Sequence, residues 1–584
     1  MSLLKKSWLL LDYKQKKYAI FIFILMFFAM ILETLSVGIV VPLLSIFLKG
    51  DIESSIFSYF FIFGKPTGKN LIYVGLLTTS AIFLLKNFLL AFNLWHQSKF
   101  LQQTKLEFTN KLFKYYLKND YMFFLQNNSA SLYRNLTDII ATFVQYITKH
   151  MIFFSEIIVF TGITFVLFYV DFLGTIIVLF SVSIVTSIIY ILTRKRVISL
   201  GKERVVIGGE LNKHLFQGMA AAKDVKILDR EEDLIYQVDK NLSKMSKLNY
   251  IIEFIRGLPR LSFEVLIVCV FLAITLLMLS LKREMVDIVL YLGVFAAASF
   301  RIIPSASKLL DSVQLIKHVE PGVRIFLEEF DSNSNSYIER NYKQKNLDLD
   351  LKFQKEISVT DLSFSYPIRK EFSLSKVSMT IKKGDFVGIV GETGSGKSTL
   401  INLLIGLLRP SEGKIEIDKL NINSNLPAWY KKIGYVPQSI YLIDDSIKKN
   451  IAFGLREDNI DDNLIKKAIE KASLDKFINS LTDGLETIVG EKGIRLSGGQ
   501  QQRIGIARAL YRDPEILILD EATSSLDQIT EEKIMKSIQF LIRKKTLIII
   551  THRLFTVKNC DKIFFIDKGK IIKQGSPEKV LNNI

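Results

Sequence analysis

Residues 391–399 read Gly391-Glu392-Thr393-Gly394-Ser395-Gly396-Lys397-Ser398-Thr399, and this stretch decides the fold of the C-terminal half. The apolar run Phe386-Val387-Gly388-Ile389-Val390 precedes it, and the helix-compatible Leu400-Ile401-Asn402-Leu403-Leu404 follows it. Strand, glycine-rich loop and helix, in that order, give GxxxxGK[ST] the context of a phosphate-binding loop. Gly391, Gly394 and Gly396 allow a sharp turn that aims successive N–H groups at one anion. The helix beginning near Lys397 adds its positive end to the same place. Lys397 is spaced to reach the β- and γ-phosphates of a nucleotide, and the Ser398 hydroxyl to hold Mg²⁺.

Outward from this loop, the chain divides by composition. At 584 residues it is long enough for more than one domain. Hydrophobic residues make up 49% and the mean hydropathy is +0.27, too apolar for a purely soluble protein with so many lysines. The 43 phenylalanines concentrate in the first half, where membrane spans are expected. A net charge of +18 could signal nucleic acid, but lysine and arginine also accumulate in the cytoplasmic loops of membrane proteins. That explanation fits better, and no nucleic-acid partner is expected. Cys269 and Cys560 offer neither metal-type spacing nor a disulfide framework.

Six apolar segments are expected to cross a membrane: residues 18–48, 71–94, 151–170, 172–192, 261–281 and 286–310. The first is read as a retained span rather than a signal peptide. Lys5, Lys6, Lys14, Lys16 and Lys17 precede it, and Lys105, Lys111, Lys114 and Lys118 lie between the second and third. Arg194, Lys195, Arg196, Lys202 and Arg204 follow the fourth, so the positive-inside rule makes both termini cytoplasmic. Residues 52–63 (IESSIFSYFFIF) form either an amphipathic helix at the outer surface or a folded loop capping the spans. The expected domains are residues 1–330 in the membrane, a polar linker at 331–350, and an α/β domain at 351–584.

Within the α/β domain, residues 515–521 read EILILDE, an apolar strand ending in two carboxylates. Asp520 suits Mg²⁺ and Glu521 suits polarisation of an attacking water. Residues 496–500 read LSGGQ and run into a helical pattern, so Ser497, Gly498, Gly499 and Gln500 sit at a second helix N-terminus able to receive phosphate.

Walker A, LSGGQ and ILILDE in this order resemble the nucleotide-binding domain of ATP-binding-cassette proteins, over roughly residues 351–584. The resemblance implies ATP and Mg²⁺ as cofactors. It implies that Tyr366 in LSFSYP stacks on adenine and that Gln438 in YVPQ contacts the metal and water as the Q-loop glutamine. It also implies that residues 524–527 (SSLD) form the D-loop and that His552 in THR is the switch histidine near the γ-phosphate. In this family each ATP lies between Walker A of one subunit and LSGGQ of the other, so a second identical subunit is the expected partner. Six spans ahead of one cassette resemble the exporter branch in half-transporter form. Its fold class is an α-helical six-span transmembrane domain followed by an α/β P-loop ATP-binding-cassette domain. Residues 128–136 and 221–231 then fall where helices that couple the membrane part to the cassette belong.

Charges inside the spans bear on the substrate, because they are costly there. Lys86 lies in the second span, Arg260 at the start of the fifth and Arg301 in the sixth. Facing a shared cavity, they would suit an anionic amphipathic lipid, and arginine in particular a phosphate or diphosphate. Pairing with Glu33 and Glu264 is the other reading of the same residues. The segments FRIIPSASKLL and GLPRLSFE resemble bacterial lipid-linked oligosaccharide flippases of the PglK type, which implies ATP-driven movement of a polyprenyl-diphosphate glycan across the bacterial inner membrane to supply protein glycosylation. Lipid A-type and multidrug exporters share the architecture and are the alternative.

Overall fold

The computed structural model describes residues 3–39, 69–282, 284–344, 351–367, 371–522, 543–551 and 557–581. Residues 52–63, 524–527 and His552, to which the sequence assigns roles, lie outside the described residues.

The N-terminal part is built of helices: α1 (Leu3–Leu10), α2 (Tyr13–Gly38), α3 (Lys69–Lys118), the short α4 (Tyr121–Gln126) and α5 (Ser129–Arg134), α6 (Ile140–Val170), α7 (Phe172–Ala220), the short α8 (Ala222–Ile227), α9 (Glu231–Ser280) and α10 (Met285–Gln344). Among the described residues, five helical stretches are long and apolar enough to cross a membrane: Tyr13–Ser36, Gly75–Lys118, Ser129–Tyr169, Phe172–Ala220 and Glu231–Ser280. The sequence predicts six. The sixth expected segment, residues 286–310, lies in α10 and is not among the five.

α3 and α9 each have 50 residues, which at about 1.5 Å per residue is about 75 Å, well over twice the ~30 Å hydrocarbon core. The apolar segments seen in the sequence are therefore parts of longer helices whose remainder must lie outside the bilayer. Asp171 divides α6 from α7: its backbone is extended, and its Oδ2 accepts from the Gly174 N–H at 2.8 Å as an N-cap. A π-helical turn, Asn135–Ile139, joins α5 to α6, and Asn135 Nδ2 donates there to Glu329 Oε1 at 2.9 Å and Tyr116 Oη at 3.2 Å. The polar segment expected to be a linker is helical as far as Gln344, as the end of α10.

The chain divides into two compact units, residues 1–119 with 124–337, and residues 120–123 with 338–584. Within the second unit Met122 packs against an apolar core cluster and Asp120 lies 3.8 Å from Arg409. The two segments expected to couple, residues 128–136 and 221–231, belong to the first unit, and residues 120–123 group with the second.

The second unit holds two sheets. One is antiparallel, in the order β2-β1-β4-β5, from β1 (Glu356–Phe364), β2 (Leu374–Lys382), β4 (Glu412–Ile417) and β5 (Leu420–Asn421). The other runs β10-β9-β3-β8-β7-β6, from β3 (Phe386–Val390), β6 (Ile433–Val436), β7 (Ile516–Asp520), β8 (Thr546–Ile550), β9 (Lys562–Asp567) and β10 (Lys570–Gly575). Strands β9, β3, β8, β7 and β6 are parallel to their neighbours, and only the β9–β10 pair is antiparallel. Phe386 and Val390 enter one core cluster while Val387 and Ile389 enter the other, as the two-residue period of a strand requires. Both faces are covered, which is why β3 reads as an unbroken apolar run.

Candidate functional site

Register brings the site together. Ile389 of β3 pairs with Ile550 of β8, which pairs with Asp520 of β7, and Leu519 pairs with Val436 of β6. The chain segments leaving the C-terminal ends of these strands therefore meet along one edge: the loop from Gly391, the Asp520-Glu521 pair, Thr551 and the segment holding Gln438. Ligands of parallel α/β sheets bind at this edge.

The loop from β3 leads into α11 (Lys397–Ile405), with the N-cap Gly396 at φ +108°. A Cβ at Gly396 would come within 2.9 Å of Ser373 O, and one on Gly391 within 2.1 Å of Ile566 O, so only glycine fits either turn. Lys397, 8% exposed, folds over the loop and donates to Gly391 O at 2.8 Å and Glu392 O at 2.7 Å. Ser395 is 4% exposed, and among the described residues its Oγ has no hydrogen-bond partner. An orphaned buried hydroxyl and an ammonium held only by neutral carbonyls fit an anionic ligand over this loop. Ser398 and Thr399 occupy the first turn of α11, and Thr399 Oγ1 lies 3.3 Å from the Tyr366 hydroxyl. Tyr366 is half-buried and edge-on to Phe364, ring centroids 5.0 Å apart.

Asp520 accepts from the Tyr435 hydroxyl at 3.1 Å, and Gln438 Nε2 donates to Glu521 Oε2 at 2.7 Å. Burial raises the Asp520 pKa, with Glu521 adding to it and Tyr435 and Lys397 opposing it. Burial also lowers the Lys397 pKa, against the pull of Glu521 and Asp520. Glu521 has a φ of +48°, a left-handed backbone unusual for glutamate, and its N–H donates to Ile550 O at 2.9 Å. Such strain clusters where a side chain must be aimed. Ser398, Asp520 and Gln438 supply hydroxyl, carboxylate and amide oxygens, a donor set that suits Mg²⁺.

Ser497 caps α12 (Gly498–Leu510): its Oγ accepts from Gln500 N at 3.3 Å, while Gln500 Oε1 accepts from Ser497 N at 2.8 Å. This reciprocal capping box holds the Gly498 and Gly499 end of the helix open. The Gln501 amide ties the preceding turn to it by donating to Gly493 O at 2.8 Å.

Residues 374–524 match the ABC transporter family. The second unit therefore contains an ABC-type P-loop ATPase domain. The multidrug resistance ABC transporter ATP-binding/permease protein YheI of Bacillus subtilis, named as probable, is 42% identical over 238 residues, 40% of each chain. The ATP-dependent lipid A-core flippase of Nitrosococcus oceani is 43% identical over 221 residues, 38% of this chain and 37% of its own. The leukotoxin translocation ATP-binding protein LktB of Mannheimia glucosida is 43% identical over 231 residues, 39% of this chain and 32% of its own. The matches thus span no more than 40% of the length of these three relatives. A solved bacterial Atm1-family ABC exporter with ATP bound shares the fold, with a TM-score of 0.74 over 95% of this chain and 96% of that one at 21% identity.

The cassette site gathers Gly391 to Thr399, Gln438, Asp520 and Glu521, with Tyr366 beside it. Sequence reasoning did not find Tyr435; its alternation with Gly434 and Val436 on β6, one strand from the Asp520 carboxylate, is the signal that would have found it. Each of the three cations expected in the spans has neighbours of its own. Lys86 Nζ lies 4.4 Å from the Phe83 ring centre, and Arg260 Nε pairs with Glu264 at 3.1 Å on its own helix. Arg301 bridges Glu33 at 2.6 Å and Glu156 at 3.5 Å, and Lys308 joins Glu156 at 3.0 Å.

Proposed function

We propose that this chain is one half of an ATP-driven exporter, and that two copies pair so that each Walker A loop closes on the partner copy's LSGGQ. The observation that carries the reading is the pairing, in one chain, of a single loop shaped for phosphate with a single signature helix whose glycine end is capped and open. ATP supplies the phosphoryl group, and Ser398, Gln438 and Asp520 would hold a Mg²⁺ ion, which when bound would neutralise phosphate charge. Lys397 exchanges its two carbonyl acceptors for phosphate oxygens. Tyr366 supports the adenine. Glu521 takes the proton of the attacking water, Gln438 fixes the Glu521 carboxylate, and His552 contacts the γ-phosphate. The bacterial inner membrane, with the cassette on the cytoplasmic side, is the location that the basic loops favour.

For the substrate we propose a lipid-linked oligosaccharide, a polyprenyl-diphosphate glycan moved from the inner to the outer leaflet in support of protein glycosylation. The segments around Arg260 and Arg301 support it, with Lys86, Arg260 and Arg301 meeting the diphosphate. On this reading the diphosphate displaces Glu264, Glu33 and Glu156 from their arginines. A second reading is export of another lipid or hydrophobic compound. It is favoured by the completed ion pairs of Arg301 and Arg260 and by relatives named for lipid A-core, drugs and leukotoxin. Sealed proteoliposomes given ATP and either a polyprenyl-diphosphate glycan or a lipid A-type lipid separate the two. Movement of the glycan, lost when Lys86, Arg260 and Arg301 are neutralised together while basal ATPase persists, supports the first. Movement of only the other lipid, or full glycan flipping by the triple variant, overturns it.

A further inference from the structure

The first unit contains a cavity of about 380 Å³, within the roughly 300–1,000 Å³ range of small-ligand sites. It is half open to the surface and lies among four helices and a turn: Leu4 and Trp8 of α1, Leu11 between α1 and α2, Phe23 of α2, Phe100 of α3 and Met151 of α6 line it. The lining is apolar almost throughout. Two of its polar residues are turned to backbone: Ser7 Oγ donates to Leu3 O at 2.9 Å, and His150 Nδ1 lies 2.9 Å from Tyr146 O. A water-soluble polar ligand would lose its hydration here without compensation, so the space suits a hydrocarbon chain. The remaining polar group is cationic, the exposed Lys5.

The surroundings select the kind of chain. α1 carries Trp8 at 38% and Leu9 at 57% exposure beside Lys5 and Lys6, the aromatic, apolar and basic mixture of a helix lying in a membrane interface. Lys14, Lys16 and Lys17 follow in the chain just ahead of the apolar part of α2. Basic segments on the cytoplasmic side attract anionic lipid headgroups.

We propose that this cavity holds an acyl chain of an anionic phospholipid of the cytoplasmic leaflet, its phosphate against Lys5. The proposal rests on the membrane placement of the first unit and is independent of which substrate is exported. The lipid would act as a fixed part of the fold, joining α1 to α2, α3 and α6 where those side chains leave a gap.

The test uses full-length protein in vesicles doped with phosphatidylglycerol or phosphatidylcholine bearing a diazirine on the acyl chain, with cross-linked peptides mapped by mass spectrometry. Label concentrated on peptides holding Trp8, Phe23 and Met151, severalfold stronger from phosphatidylglycerol, is expected. Lys5→Gln should remove the headgroup preference, and Ala19→Phe, which fills the cavity from α2, should remove the label. Ala19 is only 3% exposed, so Lys5→Gln at an exposed position decides if the filled variant does not fold. Label spread evenly over lipid-facing helices, or equal from both lipids, overturns the proposal. Displacement of the label by a polyprenyl diphosphate also overturns it and assigns the cavity to the exported substrate. ATPase activity and glycan movement, read on the same vesicles, keep failure of this site distinct from failure of the transport reading.

Discussion

The two units treat buried charge in opposite ways. In the membrane unit charges of opposite sign finish each other: Arg301 and Lys308 meet Glu33 and Glu156, and Lys149 and Arg256 meet Asp311 at 2.7 and 2.6 Å. In the cassette unit two charges of the site rest on neutral groups, with Lys397 donating to carbonyls and Asp520 accepting from a phenol. A salt-bridged charge gains little from a new ligand, whereas one held by neutral groups has Coulomb energy still to gain. By this measure the cassette charges are set for an anion and a cation to arrive, whereas an anion reaching Arg301 must first displace Glu33 and Glu156.

The sharpest way to break the comparison is at Glu521. Glu521→Gln should keep ATP binding and stabilise the ATP-bound pair, while phosphate release falls by about 10² to 10⁴, the usual worth of a general base. Nucleotide binding by fluorescence and phosphate release on one preparation measure both, and unchanged hydrolysis would remove Glu521 from the chemistry.

On the membrane side, Arg301→Leu leaves Glu33 and Glu156 buried without their arginine and should cost about 3–5 kcal/mol of stability. Glu33→Leu added to it should restore part of the loss in a double-mutant cycle on thermal unfolding. Normal unfolding of the variant would erase the contrast, and loss of translocation beside it would support Arg301 as the proposed substrate contact.

Tyr435→Phe removes the hydroxyl that donates to Asp520 and should raise the Mg²⁺ concentration needed for metal binding about tenfold, or about 1.4 kcal/mol. Mn²⁺ binding followed by electron paramagnetic resonance reads this apart from turnover; an unchanged affinity would make the hydrogen bond incidental.

The smallest effect belongs to a cassette pair that behaves like those of the membrane unit. Hydrogen bonds from Lys471 and Lys545 hold the Asp513 pKa down to about 2 from 3.8. A lowered carboxylate contributes stability above its unfolded pKa and loses it as pH falls from about 4 toward about 2. The side chain is 62% exposed, so Asp513→Asn should cost only about 0–1 kcal/mol near neutrality and nothing at pH 2. Asparagine tolerates the φ of +50° at this position, so the backbone contributes little. Denaturant titrations at the two pH values check it; an equal loss at both would point to packing instead.

The cassette was legible because its chemistry is local. Gly391 to Thr399 and LSGGQ are each contiguous, and the apolar strands leading to Gly391 and to Asp520-Glu521 announce the sheet edge. Tyr435 was not legible, since its partner is 85 residues away and the link is made by strand register. The apolar parts of the membrane helices were legible from composition alone. Their extensions were not, because a polar helix segment carries no hydropathy signal and α10 simply continues where polar residues suggested a linker. The substrate residues were chosen for their charge, and sequence spacing could not reveal that Glu156, 145 positions from Arg301, was already bound to it.

The capped signature helix has a consequence in genetics. If that helix serves a phosphate held by the other copy, one inert chain disables more than itself. Glu521→Gln expressed beside the native gene would trap native chains in closed, unproductive pairs, and the mutation would be dominant over the allele it accompanies.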